Sequence, residues 1–164
     1  MVKEFNKLEE IQEYYDKPSN TYIFKVKNSN RYIDFIVFKF HLDIDANIDA
    51  FNIDGMKIEA RNISAHNINA EFINAWNIQA FNISSYDIIA YDIKSQNIVN
   101  VYDIVAYDID AYNIEADNIY AHDISYWAVC LAYRNIKCKS INGRRENARH
   151  FTLDGKLMVI DDDE

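Results

Sequence analysis

The chain has 164 residues, a formal net charge of −9 and 49% apolar residues, but only three glycines and one proline. That length suits one domain with a continuous core, and so little Gly and Pro excludes a loop-rich or disordered chain. No stretch approaches the ~18 uncharged apolar residues of a membrane helix, and the start MVKEFNKLEE is too charged for a signal peptide, so a cytoplasmic protein is expected.

In chain order, residues 2–15 predict a helix. Val2, Phe5, Leu8 and Ile11 fall three apart with Glu and Lys between them, and Pro18-Ser19-Asn20 ends the segment. TYIFKVK, the polar turn Asn28-Ser29-Asn30 and RYIDFIVFKFHLDI then read as a β-hairpin rich in aromatic and β-branched residues. Residues 1–44 are expected to form an N-terminal cap, because a stack of repeats has an open strand edge that must be covered.

Residues 45–143 carry a five-residue repeat. Isoleucine recurs at 48, 53, 58, 63, 68, 73, 78, 83, 88, 93 and 98, and after a one-residue slip at 104, 109, 114, 119 and 124. The preceding residue is usually Asn or Asp, and the residue two after is nearly always small, as in Ala50, Gly55, Ala75, Ser85 and Ala111. Period five fits neither a helix nor a flat strand. It fits a chain that runs straight for two or three residues, turns a corner and repeats. Four such units would close a square coil of about twenty residues, and sixteen repeats would make about four coils stacked at about 4.8 Å. The Ile and the small residue then point inward, and Asn or Asp bonds backbone at the corner.

Two irregularities follow. The run Ile98–Ile104 contains one extra residue, read as a bulge or small protrusion. After Ile124 the rhythm weakens, returning at Leu131, Ile136 and Ile141, and the apolar insertion Tyr126-Trp127-Ala128-Val129-Cys130 is expected to tuck in. Cys130 and Cys138 lack metal-type spacing and read as small buried residues. Residues 144–164 are expected to form a C-terminal cap. It comprises the basic run Arg144–His150, a hairpin FTL/KLMVI about Asp154-Gly155, and a solvated acidic end Asp161–Glu164.

Units such as Ala75-Trp76-Asn77-Ile78-Gln79 and Ala106-Tyr107-Asp108-Ile109-Asp110 resemble the pentapeptide-repeat proteins over about 80 of the 164 residues. The resemblance implies an all-β fold, a quadrilateral right-handed β-helix. The family's usual unit places Ala immediately before Asn/Asp and then Leu or Phe. Here one residue separates them, and the central residue is Ile.

The charge is concentrated on the repeat. Residues 43–126 hold fourteen acids against three bases, a net of −11, whereas residues 1–42 and 127–164 each hold seven bases and six acids. An acidic body repels nucleic acid and attracts basic surfaces, although acidity also serves solubility alone. No GxxxxGK[ST], GxSxG or HExxH motif occurs, so no enzyme, cofactor or metal is expected. His66 and His122 read as plain surface residues on adjacent faces, and His41 and His150 belong to no constellation.

The position two before each Ile carries Phe51, Trp76, Phe81, Tyr86, Tyr91, Tyr102, Tyr107 and Tyr112. Square stacking would place Tyr86 beside Tyr107 and Tyr91 beside Tyr112. The partner-binding set expected from tyrosines interleaved with acids is Tyr86, Asp87, Tyr91, Asp92, Asp103, Tyr107, Asp108, Asp110, Tyr112, Glu115 and Asp117. The same residues also suit cross-strand ladders that only support the coil.

Two functions are expected. The first is a non-enzymatic DNA mimic that occupies the DNA-binding surface of a nucleic-acid-handling enzyme. The family resemblance points to DNA gyrase. By analogy, a phage counter-defence inhibitor of the anti-restriction or anti-CRISPR kind is the other form. The partner is then a protein, with no direct contact to nucleic acid and none to membrane. The second is a self-assembling β-solenoid scaffold of the bactofilin kind. A homodimer is compatible with both, and Arg144–His150 reads either as a solvated connection before the terminal hairpin or as a docking patch for an acidic partner or for the acidic body of a second copy.

Overall fold

The structure, a computed structural model, describes residues 2–27, 29–40 and 42–160. His41, Asn28 of the expected turn, and the acidic end Asp161–Glu164 lie outside the described residues. The chain is 75% strand and forms the β-solenoid that the repeat predicts, but with about 7 turns where sixteen repeats were expected to make about four. Its strands are β1 (Val2–Phe5), β2 (Tyr15–Asp16), β3 (Thr21–Ile23), β4 (Phe35–Phe38), β5 (Leu42–Asp43), β6 (Asn47–Asp49), β7 (Asn52–Cys138, the continuous coil), β8 (Ser140–Gly143), β9 (Arg149–Thr152) and β10 (Leu157–Val159).

The coil closes in fifteen residues, not twenty. Ile48 pairs in parallel with Ile63, and Asn62, Asn67, Asn77, Asn82 and Asn97 each hydrogen-bond the asparagine fifteen positions earlier. Three pentapeptides therefore make one turn, and the expected square is a triangle. The five-residue period fixes where corners fall but not how many close a coil. Isoleucine is short and branched at Cβ, so with Ala as companion it fills a narrow three-sided section. A wider four-sided one needs a longer side chain to reach its axis.

Every repeat isoleucine is buried, none above 2% exposed. Each such burial stabilises by roughly 1.5–3 kcal/mol against exposure. Ala70, Ala75, Ala80, Ala111 and Ala116 are buried beside them. Where Ser85 and Ser95 replace Ala, their hydroxyls donate to the carbonyl oxygens of Asp87 and Asn97 at 2.9 Å, so neither hydroxyl is orphaned.

The extra residue between Ile98 and Ile104 shifts the stacking distance from fifteen to sixteen, as between Tyr86 and Tyr102, and fifteen returns between Asp103 and Asn118. Val101 is buried, so it packs inward within this stretch. Tyr126 and Cys130 are buried as expected of the apolar insertion, but Trp127 stays 43% exposed.

The N-terminal segment departs from the expected helix. Val2–Phe5 forms β1, parallel to β4, and only Leu8–Tyr14 is helical, as a 3-10 helix with Ile11 buried. The exact three-residue spacing of Val2, Phe5, Leu8 and Ile11 matches 3-10 geometry better than 3.6, and the open edge of β4 captures the first residues. The expected hairpin exists only at its tip, where Val26 N–H donates to Arg31 O and Ile33 N–H to Phe24 O. Its outer arms join the stack instead, β3 against β6 and β4 against β7, both parallel. Phe5, Tyr14, Phe24 and Phe38 pack ring to ring at 5.1–5.9 Å beneath the coil.

The C-terminal hairpin does not form. β9 pairs in parallel with Val129–Ala132 and β10 in parallel with Ile136–Cys138, so both continue the winding. The Asp154-Gly155 turn lies against the coil below, where a Cβ on Gly155 would come 1.7 Å from the Arg134 carbonyl oxygen. That contact makes it a corner of the solenoid.

Candidate functional site

Three columns of corner residues run up the solenoid, one per side. The second is an unbroken amide ladder. Asn67 donates to Asn52, Asn82 to Asn67, Asn97 to Asn82 and Asn113 to Asn97, at 2.6–2.8 Å. A carboxamide both donates and accepts, so it can hand the bond on from coil to coil. The first column begins the same way, with Asn62 on Asn47 and Asn77 on Asn62, and then continues as Asp92, Asp108 and Asp123. The third column holds Asp87 and Asp103 before returning to Asn118, which donates to Asp103.

A carboxylate only accepts, so the ladder stops wherever Asp stands on Asp. Oδ1 of Asp87 and Oδ1 of Asp108 are buried with no hydrogen-bond partner. Burial, then the carboxylates of Asp123 and Asp92, push the Asp108 carboxyl above its usual range. Asp123 closes the column differently. The Ser140 hydroxyl and His122 hold its carboxyl below the usual range.

Aromatic rings stack beside these acids. Tyr91 and Tyr107 are parallel at 4.9 Å, and His122 follows Tyr107 at 4.4 Å. Tyr86 stacks on Tyr102 at 4.9 Å, and His66 lies between Phe51 and Phe81 at 5.0 and 4.9 Å. The expected pairs Tyr86–Tyr107 and Tyr91–Tyr112 are therefore replaced, because fifteen residues and not twenty make a turn. His66 and His122 are rungs of aromatic ladders, not isolated surface residues, although they do fall in different columns.

The eleven expected residues divide among three edges. Tyr91, Asp92, Tyr107 and Asp108 come together, while Tyr86, Asp87 and Asp103 sit on the next edge. The remaining four are engaged from the C-terminal coils. Arg144 pairs with Asp110 at 3.1 Å, and Arg134 with Asp117 at 3.4 Å. Arg145 donates to the Tyr112 hydroxyl, and the Tyr133 hydroxyl donates to Glu115, both at 2.7 Å. The basic run that reads as an intermolecular docking patch thus begins with two arginines committed within the molecule.

Tyr102, His122 and Asp123 complete the columns, although sequence reasoning left them out of the set. A stacking period of fifteen, with sixteen across the insertion, would have found them. Asp108, His122 and Asp123 also bring one ligand atom each within 4.8 Å of one another, a mixed oxygen and nitrogen set that could hold a divalent metal. Cys130 is buried and its thiol is pushed up to about 12 by that burial, then by Cys138, so it is inert as a nucleophile.

Among the described residues, no helix is long and apolar enough to cross a membrane. The parallel stack is compatible with a pentapeptide-repeat fold. The chain matches no family model, no curated protein and no solved structure.

Proposed function

We propose that this chain is a non-enzymatic acidic binding protein of the pentapeptide-repeat kind, in a three-sided form, that takes the place of DNA on a nucleic-acid-handling enzyme. The observation that carries this reading is the file Asp92–Asp108–Asp123, held at coil spacing where asparagine would have continued a bonded ladder. At Asp92 and Asp108 the fold gains nothing from carboxylates, since like charges one coil apart repel and an oxygen of Asp108 is left buried and unbonded.

The charge spacing supports the same reading. Residues 86–123 carry Asp87, Asp92, Asp103, Asp108, Asp110, Glu115, Asp117 and Asp123. With Asp110 and Asp117 in ion pairs, six carboxylates remain over roughly two and a half coils, about 12 Å. That is a carboxylate about every 2 Å, close to the ~1.7 Å per charge of duplex DNA. Lys94 lines the same groove as Asp110.

The test is competition. A type II topoisomerase, a restriction nuclease and an RNA-guided nuclease are each titrated with the protein against labelled duplex DNA at several salt concentrations. The protein should displace DNA from one of them, less effectively as salt rises. Binding that coexists with bound DNA, or no binding to any of the three, would defeat the reading.

A second reading, self-assembly, draws on a separate observation. Among the described residues β9 and β10 each pair on one edge only, with β7, and Phe151, Leu153, Met158 and Val159 beside them are exposed. Light scattering over a hundredfold concentration range decides it. A species that stays monomeric throughout removes this reading and leaves the first intact.

A further inference from the structure

The columns already bind arginine within the molecule, and they do so by a repeated pattern. Arg134 places its guanidinium 5.6 Å from the centre of the Tyr102 ring, with Nε 3.4 Å from Asp117. Arg144 lies 5.9 Å from the Trp127 ring and pairs with Asp110. Arg145 lies 5.7 Å from the Tyr112 ring and donates to its hydroxyl. Each guanidinium takes an aromatic side chain of one column, and two of the three also take a carboxylate. These are the two halves of what a planar, forked cation recognises, and an ammonium fits neither as well. All three come from residues 134–145, the coils stacked directly above the acidic repeat.

One edge offers the same elements without such an arginine. Tyr91 and Tyr107 are 56% and 42% exposed, and among the described residues neither hydroxyl has a hydrogen-bond partner. Asp92 and Asp108 alternate with them in sequence, and neither forms an ion pair among the described residues. The nearest imidazole, His122, is turned to Asp123. Tyr107 lies between Tyr91 and His122, so a guanidinium meets its hydroxyl and edge, as Arg145 meets the hydroxyl of Tyr112, and the two Tyr-Asp rows offer such places about 4.8 Å apart.

From this we propose that the Tyr91-Asp92/Tyr107-Asp108 edge is a docking surface for an arginine-rich protein segment and reads guanidinium in preference to ammonium. The inference rests on the reading of the chain as a DNA mimic and narrows it. The partner surface is one where arginines, not lysines, meet the phosphate backbone. A phosphate accepts both cations, but the tyrosines beside the carboxylates give arginine a second contact that lysine makes less well.

The experiment uses the full chain and two labelled probes, nona-arginine and nona-lysine, with binding followed by fluorescence anisotropy at matched salt. Nona-arginine should bind about tenfold or more tightly than nona-lysine. The double variant Asp92→Asn/Asp108→Asn should lose that preference and at least about tenfold in affinity. Its circular dichroism should be unchanged, since asparagine is the residue the first column carries below it. The charge-matched control Asp43→Asn/Asp54→Asn should bind as the parent does. A third variant, Tyr91→Leu/Tyr107→Leu, keeps every charge and should lose the arginine preference while still binding both probes.

Equal affinity for the two probes, or equal losses in the control and test variants, overturns the inference. If the protein still displaces DNA from an enzyme in that case, the mimicry reading survives without it. If neither probe binds and no DNA is displaced, both fall.

Discussion

Asn113 donates to Asn97 at 2.8 Å across a separation of sixteen residues, in a ladder whose other steps are fifteen. The bond is as short as its neighbours although the chain between has gained a residue. The insertion is therefore absorbed within one coil, and every column above it remains in line. The relationship also fixes the winding number, which the sequence period leaves open.

That winding can be checked by cross-linking. Replacing His66 and Phe81 by cysteine puts two thiols on adjacent rows, where parallel strands place Cα atoms about 4.8 Å apart, inside the range a disulfide tolerates. This pair should oxidise readily, whereas cysteines at His66 and Tyr86, twenty residues apart, should stay reduced. Mass spectrometry under mild oxidation reads the result, and the buried Cys130 and Cys138 do not compete. The reverse pattern would restore the square coil.

Asp108→Asn should stabilise the protein. It removes a like charge between Asp92 and Asp123, and its amide can donate where a carboxylate cannot. A gain of about 1 kcal/mol is expected, or roughly 2–4 °C in Tm. The pH dependence follows from the raised carboxyl of Asp108. The folded state takes up this proton more readily than the unfolded one, so the parent gains stability from neutral pH down to about 4, its ordinary value. The variant should lack that gain. Asp45, lowered by Arg61, and Asp123, lowered by Ser140 and His122, act oppositely. Their contribution is lost as pH falls below the ordinary value, so parent and variant should both weaken there. Thermal melts between pH 3 and 7 resolve the two effects.

In the amide ladder, Asn82→Ala should be more costly than an exposed substitution. It deletes the donor to Asn67 and the acceptor for Asn97 and leaves both neighbours unsatisfied. The expected loss is about 2–4 kcal/mol. Asn82→Asp keeps the acceptor and should fall between parent and alanine at neutral pH. Urea unfolding compares the three.

Arg134→Gln/Arg144→Gln should affect binding more than stability. Both pairs are surface pairs, worth less than about 1 kcal/mol each. Their removal leaves Asp117 and Asp110 uncompensated and adds two negative charges to the repeat. Affinity for a basic partner should rise, and its salt dependence should steepen. Anisotropy titrations at two ionic strengths would show both changes, and an unchanged affinity would mean that these acids lie outside the docking face.

Much of the fold was legible because a solenoid writes its core in plain order. The isoleucines, the small residues and the corner Asn or Asp recur at fixed offsets, and the isoleucines are buried and the ladder asparagines bonded as those offsets demand. The number of sides was not legible, because three and four corners share the same period and only the filling of the axis separates them. The ends were misread for a different reason. Val2–Phe5 and Leu157–Val159 carry local patterns of helix and hairpin, yet both lie against a strand edge whose pairing outweighs local preference. The acidic, tyrosine-rich part of the repeat was visible in composition. Its division among three edges, and the arginines that cover part of it, depend on which residues lie one coil apart.

The three-sided coil also constrains how such a chain can change its length. Deleting a single pentapeptide would keep every isoleucine inward and every corner at a corner, but would turn all that follows by a third of a revolution. Asp108 and Tyr107 would then stand over a different edge from Asp92 and Tyr91. Growth or loss in steps of fifteen preserves the columns, and the inserted residue near Val101 is tolerated because it moves nothing sideways. A protein built this way can become a longer or shorter ruler, but only in whole turns if its markings are to stay on one side.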